Sequence, residues 1–152
     1  MNKTIKKSIV ALACAAGVLL AGSASAQFAK NEDAVKYRQS AFTVMANHMG
    51  RLAAMARGQQ PFDAAAAKRS AELVQAVSHL PWEAFVPGSS NDGARLKADP
   101  WARADDFKKL QERLVGETGK LVEASGSLDS LRTQVGATGA ACKACHDEFR
   151  RI

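Results

Sequence analysis

The chain has 152 residues, 47% of them apolar, 24% charged and 6% aromatic, with a formal net charge of +6. That length supports one domain with a substantial core and is short for two; the apolar share and interspersed charge exclude a disordered chain. The charge is a poor guide to partners, because Lys3, Lys6 and Lys7 fall in the first 26 residues, which hold no Asp or Glu.

Residues 1–26 read as a secretory signal peptide, with a basic start, an apolar run from Ile9 to Ala21, and Ala24-Ser25-Ala26 as a small-residue cleavage site. Removing 26 of the 152 residues leaves a domain of 126, residues 27–152, and removing three lysines takes +6 to +3. A permanent anchor needs about 20 apolar residues, more than this run supplies before Gly22 and Ser23. A lipid-modified Cys14 has too short an apolar stretch before it. The exported chain is therefore expected to have no membrane association and only two cysteines, Cys142 and Cys145.

The mature chain reads as helical throughout. From Glu32 to Arg57, Val35, Phe42, Met45, Met49, Leu52 and Ala56 alternate in steps of three and four, with Arg38 filling the slot between Val35 and Phe42. Gly58 and Pro61 close this helix. Asp63 is placed to cap a second helix with Leu73, Val77 and Leu80 as its inward row, stopping before Pro81. The stretch from about Pro81 to Trp101 holds Pro81, Pro87, Gly88, Gly93 and Pro100, so it predicts a long loop. Loops of that length tend to be functional. Its Trp82, Phe85 and Trp101 either cap one end of the core or wall a ligand.

Phe107, Leu110, Leu114 and Leu121 mark a third helix ending near Gly126. Leu128, Leu131, Val135, Cys142, Cys145 and Phe149 mark a fourth that runs almost to Ile152. The resulting fold class is all-α: an antiparallel four-helix bundle, up-down-up-down, with the long loop between helices 2 and 3.

Chemistry concentrates in Cys142-Lys143-Ala144-Cys145-His146, which matches the attachment signature for c-type haem. On a helix, sulfurs at i and i+3 share a face and each can bond a vinyl group, while the imidazole at i+4 reaches the iron. A thioredoxin-like redox disulfide needs a βαβ setting that the pattern lacks. A structural zinc site needs about four ligands, and His48 and His79 lie on other helices, on faces expected to be exposed. Only six residues follow His146, none of them Met, so a sixth iron ligand has to come from the first helix, from the loop, or from nowhere.

Tyr37-Arg38-Gln39 in the first helix, Leu80-Pro81-Trp82 opening the loop, and Cys142-Lys143-Ala144-Cys145-His146-Asp147 near the C-terminus resemble the cytochrome c′ family over the whole stretch from Gln27 to Ile152. The resemblance implies a four-helix bundle, one covalently attached haem c per chain, a periplasmic location and a homodimer. Relatives called cytochrome c-556 place an iron-ligating Met nineteen residues before the proline that follows the first helix. Here that count, back from Pro61, lands on Phe42, which has no lone pair for iron. The resemblance thus implies a five-coordinate, high-spin haem with Phe42 over its open face.

Met45 and Met49 continue the Phe42 face and read first as soft core filling. Arg38, a cation on an apolar face, needs a partner, which is either a haem propionate or a surface carboxylate such as Glu83 or Asp92. By resemblance, Arg38 and Gln39 contact the haem and Arg150 flanks the axial ligand His146; a solvated Arg150 is the alternative. Gly136, Gly139, Ala140 and Ala141 suggest clearance for a macrocycle, because Gly costs about 1 kcal/mol relative to Ala in a helix. Gly116 and Gly119 suggest helix crossing or a dimer seam.

The expected distal set, Phe42, Met45, Trp82 and Phe85, holds no acid or base, which argues against an enzyme such as a peroxidase. An apolar pocket over a five-coordinate iron favours NO and CO as ligands and permits one-electron transfer. A low-spin, six-coordinate electron carrier of the cytochrome c-556 type is the alternative. Basic residues are scattered, with no nucleic-acid motif. The redox partner protein is not legible.

Overall fold

The computed structural model describes residues 27–151, except Asn91 and Ala98. The expected signal peptide, with Cys14, lies outside these residues, as does Ile152. Four helices follow in order: α1 (Asn31–Ala56), α2 (Ala64–Ser78), α3 (Ala104–Ala124) and α4 (Leu128–Phe149). Between α2 and α3 the long loop contains two short 3₁₀ turns, Pro81–Ala84 and Asp92–Ala94. No helix among the described residues is long and apolar enough to cross a membrane.

Local chemistry accounts for the boundaries. Glu32 and Asp33 lie in the first turn of α1, where negative charge complements the helix dipole. Gly58, at φ +71°, turns the chain out of α1 in the left-handed region, where a residue with a Cβ is strained. The Asp63 carboxylate accepts the Ala66 N–H at 3.0 Å and caps α2. Ser127 caps α4 by accepting the Ser130 N–H.

Helix α1 packs on α2 and α4, and α3 packs on α2 and α4, which is the ring of neighbours of an antiparallel bundle with short links after α1 and α3. The core is built from Leu52, Met55, Ala67, Ala71, Val74, Leu121 and Leu131. One register differs from the sequence reading. Leu73 and Leu80 stay 45% and 41% exposed, and α2 instead buries Ala67, Ser70, Ala71, Val74 and Ser78. These small side chains let α2 lie close to its neighbours, and the Ser78 and Thr118 hydroxyls bond across that seam at 3.0 Å. The larger leucines therefore mark the outer face.

His48 also departs from expectation. It is half-buried, with Nδ1 3.5 Å from the Ser70 hydroxyl, whereas His79 is exposed as expected.

Candidate functional site

The helix spacing that places Cys142, Cys145 and His146 on one face of α4 turns all three toward a single cavity of about 960 Å³. Its volume lies at the upper end of the roughly 300–1,000 Å³ range of small-molecule and cofactor sites. Facing walls come from α1 (Phe42, Met45, Met49), the loop (Trp82, Phe85, Leu96) and α3 (Phe107, Leu114). Both cysteines are free and half-buried. Burial, then the neighbouring Cys142, pushes the Cys145 thiol up to about 11. Burial raises Cys142 as well, partly offset by a backbone hydrogen bond. Burial also holds the His146 imidazole below its ordinary range; the Arg150 charge adds to this effect and Asp147 opposes it.

An aromatic wall closes the side of the cavity nearest the loop. Trp82 meets Phe42 edge-on at 5.9 Å between centroids and stacks on Phe85 at 6.2 Å. Phe85 continues to Phe107, and Phe107 to Phe149. The Trp82 indole N–H is committed to the Ser78 carbonyl at 2.6 Å, and the Trp101 N–H to the Phe85 carbonyl at 2.9 Å. The wall thus presents hydrocarbon to the cavity while its polar atoms are satisfied behind it. Trp101 ties the loop down without lining the cavity. Capping the core and walling a ligand are the same arrangement here.

Arg38 is only 2% exposed, and its described side-chain donors go to loop oxygens rather than to Glu83. Its Nη1 donates to the Ala84 carbonyl at 2.8 Å and to the Ser89 hydroxyl at 2.7 Å, and Nη2 donates to the Ser89 carbonyl at 2.5 Å. The guanidinium lies 4.5 Å from the centroid of the Phe85 ring. Glu83 accepts the Tyr37 hydroxyl at 2.6 Å instead. Arg38 therefore holds the loop against α1 while lining the cavity. Gln39 has a parallel role, donating to the Gly93 carbonyl at 2.6 Å.

Replacing Arg38 with Met leaves those loop oxygens without a donor. Urea denaturation is expected to show a loss of about 2–4 kcal/mol, with faster proteolysis between Val86 and Lys97. Unchanged stability would remove Arg38 as the loop's tether.

The remaining residues singled out from sequence divide. Arg150 lines the cavity as expected, and Met45 is both buried core and cavity wall. Gly139 lines the cavity with nothing within 4 Å of a built Cβ, as clearance requires. Gly136 is exposed and away from the lining, and Ala140 is exposed, so neither provides clearance. Gly119 faces Gln75 of α2 at 3.8 Å, a helix contact, and Gly116 meets open space.

A family model described as Cytochrome C′ matches residues 33–150. Cytochrome c′ of Alcaligenes xylosoxydans xylosoxydans is 48% identical over 127 residues, covering 82% of this chain and 98% of that one. The crystal structure of cytochrome c′ from Rubrivivax gelatinosus superposes with a TM-score of 0.79 at 44% identity, covering 82% of this chain and all of that one. A nitric oxide complex of a leucine-to-alanine mutant of the Alcaligenes xylosoxidans protein superposes at 0.78 and 45% identity over 83% of this chain and 99% of that one. A carbon monoxide-bound variant of the same protein gives 0.78 and 45%, over 83% and all of it.

The chain belongs to the cytochrome c′ family. That family consists of haem-binding proteins for gas ligands and electrons, not of enzymes in the usual sense. Several cytochrome c′ cavity residues escaped the sequence reading of this chain. Phe107 and Phe149 read as core and are also cavity wall. Thr118 and Thr138, fully buried polar residues of α3 and α4, interrupt no apolar row strongly enough to stand out. Arg95 and Leu96 sit in a loop with no periodicity to place them.

Proposed function

We propose that this chain is a periplasmic cytochrome c′ that holds one haem c covalently through Cys142 and Cys145, with His146 as the axial iron ligand. In this reading the iron is five-coordinate and high-spin, and the protein binds NO and CO on the face opposite His146 and passes single electrons. The observation that carries it is the composition of the cavity: both thiols and its only imidazole come from one face of α4, and an aromatic wall stands across from them. Bound haem supplies an iron that alternates between ferric and ferrous and binds diatomic ligands.

The chain's own residues account for the rest. Phe42 brings a ring with no donor atom, so it fills space without ligating. Trp82 offers no proton to a ligand, because its N–H is already donated to Ser78, and Met45 and Phe85 hold no acid or base. This favours NO and CO over ligands that depend on a hydrogen bond for stability. Burial, and after it the Arg150 charge, disfavour protonation of His146, which favours the neutral form of the imidazole that ligates iron. Export through the signal peptide places the protein where two thioether-forming cysteines are compatible with the compartment. A homodimer is part of the proposal; among the described residues, Val44, Leu73 and Leu80 are the large apolar side chains left exposed.

The second reading, a six-coordinate carrier of the cytochrome c-556 type, has an observation of its own: the thioethers of Met45 and Met49 line the same cavity. Titrating the reduced protein with NO separates the two. Saturation at one NO per chain with a change in the absorption spectrum is expected; a spectrum indifferent to NO would favour the carrier.

A further inference from the structure

Among the described residues, the cavity lining includes three arginines, Arg38, Arg95 and Arg150, and no Asp or Glu side chain. A largely apolar wall that carries cations and no described carboxylate is suited to a flat apolar ligand that carries negative charge at an edge. The three arginines are not equivalent. Three of the five N–H donors of Arg38 are spent on Ala84 and Ser89, so its first task is to secure the loop. Arg95 and Arg150 are exposed, and among the described side chains neither is within ion-pair distance of a carboxylate.

The backbone is arranged to bring these two together. Leu96 and Arg150 form an isolated antiparallel bridge. The Lys97 N–H donates to the Phe149 carbonyl at 2.9 Å, and the Arg151 N–H to the Arg95 carbonyl at 2.8 Å. The Arg151 guanidinium also donates to the Leu96 carbonyl at 3.0 Å. Residues 95–97 of the loop are thereby stitched to the C-terminal end of α4, one turn beyond His146. Arg95 itself sits at φ +53°, the only described residue other than glycine in the left-handed region. That conformation is uncommon for a residue with a Cβ, and the bridge holds it.

We propose that Arg95, with Arg150 beside it, is the anchor for the propionate carboxylates of the haem, and that Arg38 is chiefly the tether of the loop. The proposal rests on the haem reading above. It assigns Arg95 as a positioning residue that fixes how the macrocycle's charged edge lies at the cavity mouth and holds a carboxylate there in its ionised form. Other charged groups face the same region: Arg38 and His146 from the cavity, and Lys97, Lys143, Asp147 and Arg151 around it. Lys143 is paired with Asp147 at 2.6 Å, and the Lys97 amine donates to the Asp147 carbonyl at 2.9 Å.

The test is the midpoint potential of the haem-loaded protein as a function of pH, in the wild type and in R95Q, R95K and K97Q. A cation beside a carboxylate lowers its pKa, so losing Arg95 raises the pH at which the potential inflects. In R95Q the inflection is expected to move up by about one unit or more, with partial recovery in R95K. K97Q removes one exposed charge two residues away, where salt screens it, and is expected to leave the inflection within about 0.2 units. A haem-loaded R95Q whose inflection matches that of K97Q would overturn the assignment. A wild-type chain that gains no haem mass on export would instead overturn the underlying reading, so the two failures are distinguishable.

Discussion

A chain in which Cys142 and Cys145 are both replaced by alanine is expected to leave the exporting cell without covalently held pigment. The wild type is expected to retain its colour and added mass through acid denaturation. The effect is all or none because no other cysteine exists after Gln27, and the two sulfurs share one helical face on one cavity. Each single variant retains one possible thioether and is expected to yield less pigment, still covalently held. Intact-mass measurement of the denatured proteins reads the outcome directly. Retention of covalent haem by the double variant would mean that the attachment assigned to α4 is wrong.

The second large effect is expected at Phe42. Its ring lines the cavity from α1 and is braced edge-on by Trp82 at 5.9 Å, so approach to the iron from that side requires the ring to move. Replacing Phe42 with alanine removes the obstacle and is expected to raise the CO association rate of the reduced protein several-fold. Stopped-flow or flash photolysis provides the measurement, and an unchanged rate would remove Phe42 as the gate. The methionine variant tests the same position by the opposite logic. A thioether in place of the ring brings a lone pair to the iron, so a shift toward low spin is expected. Persistent high spin would mean that residue 42 does not face the metal.

Much of this arrangement was legible in the sequence because its signals are local. The spacing of Cys142, Cys145 and His146 defines a helical face without any tertiary knowledge. The alternation from Val35 to Ala56 defines α1, and Asp63 and Gly58 mark their boundaries by capping chemistry that is also local. The register of α2 was not legible, because pattern reading weights large apolar side chains. The bundle instead buries Ala67, Ala71 and Ser78, whose small size permits close approach, and leaves Leu73 and Leu80 outside.

The loop was the other blind region. That Arg38 needed a partner followed from charge on an apolar face, but the partner was main-chain oxygen at Ala84 and Ser89, which carries no sequence signature. Arg95 was missed for a related reason. Its place beside the cavity depends on a bridge between Leu96 and Arg150, residues more than fifty positions apart, and no periodicity announces such a contact. Phe107 and Phe149 were read correctly as inward but not as cavity wall, because helical spacing does not distinguish an interior surface that meets another side chain from one that meets a ligand.

Electron paramagnetic resonance of the ferric wild-type protein, with resonance Raman of the ferric and ferrous forms, tests the central claim most directly. With His146 as the single protein ligand and the donor-free ring of Phe42 rather than Met45 or Met49 opposite it, five-coordinate, high-spin iron is expected in both oxidation states. A six-coordinate, low-spin signature in both states would show Met45, Met49 or another side chain on the iron and would contradict the account.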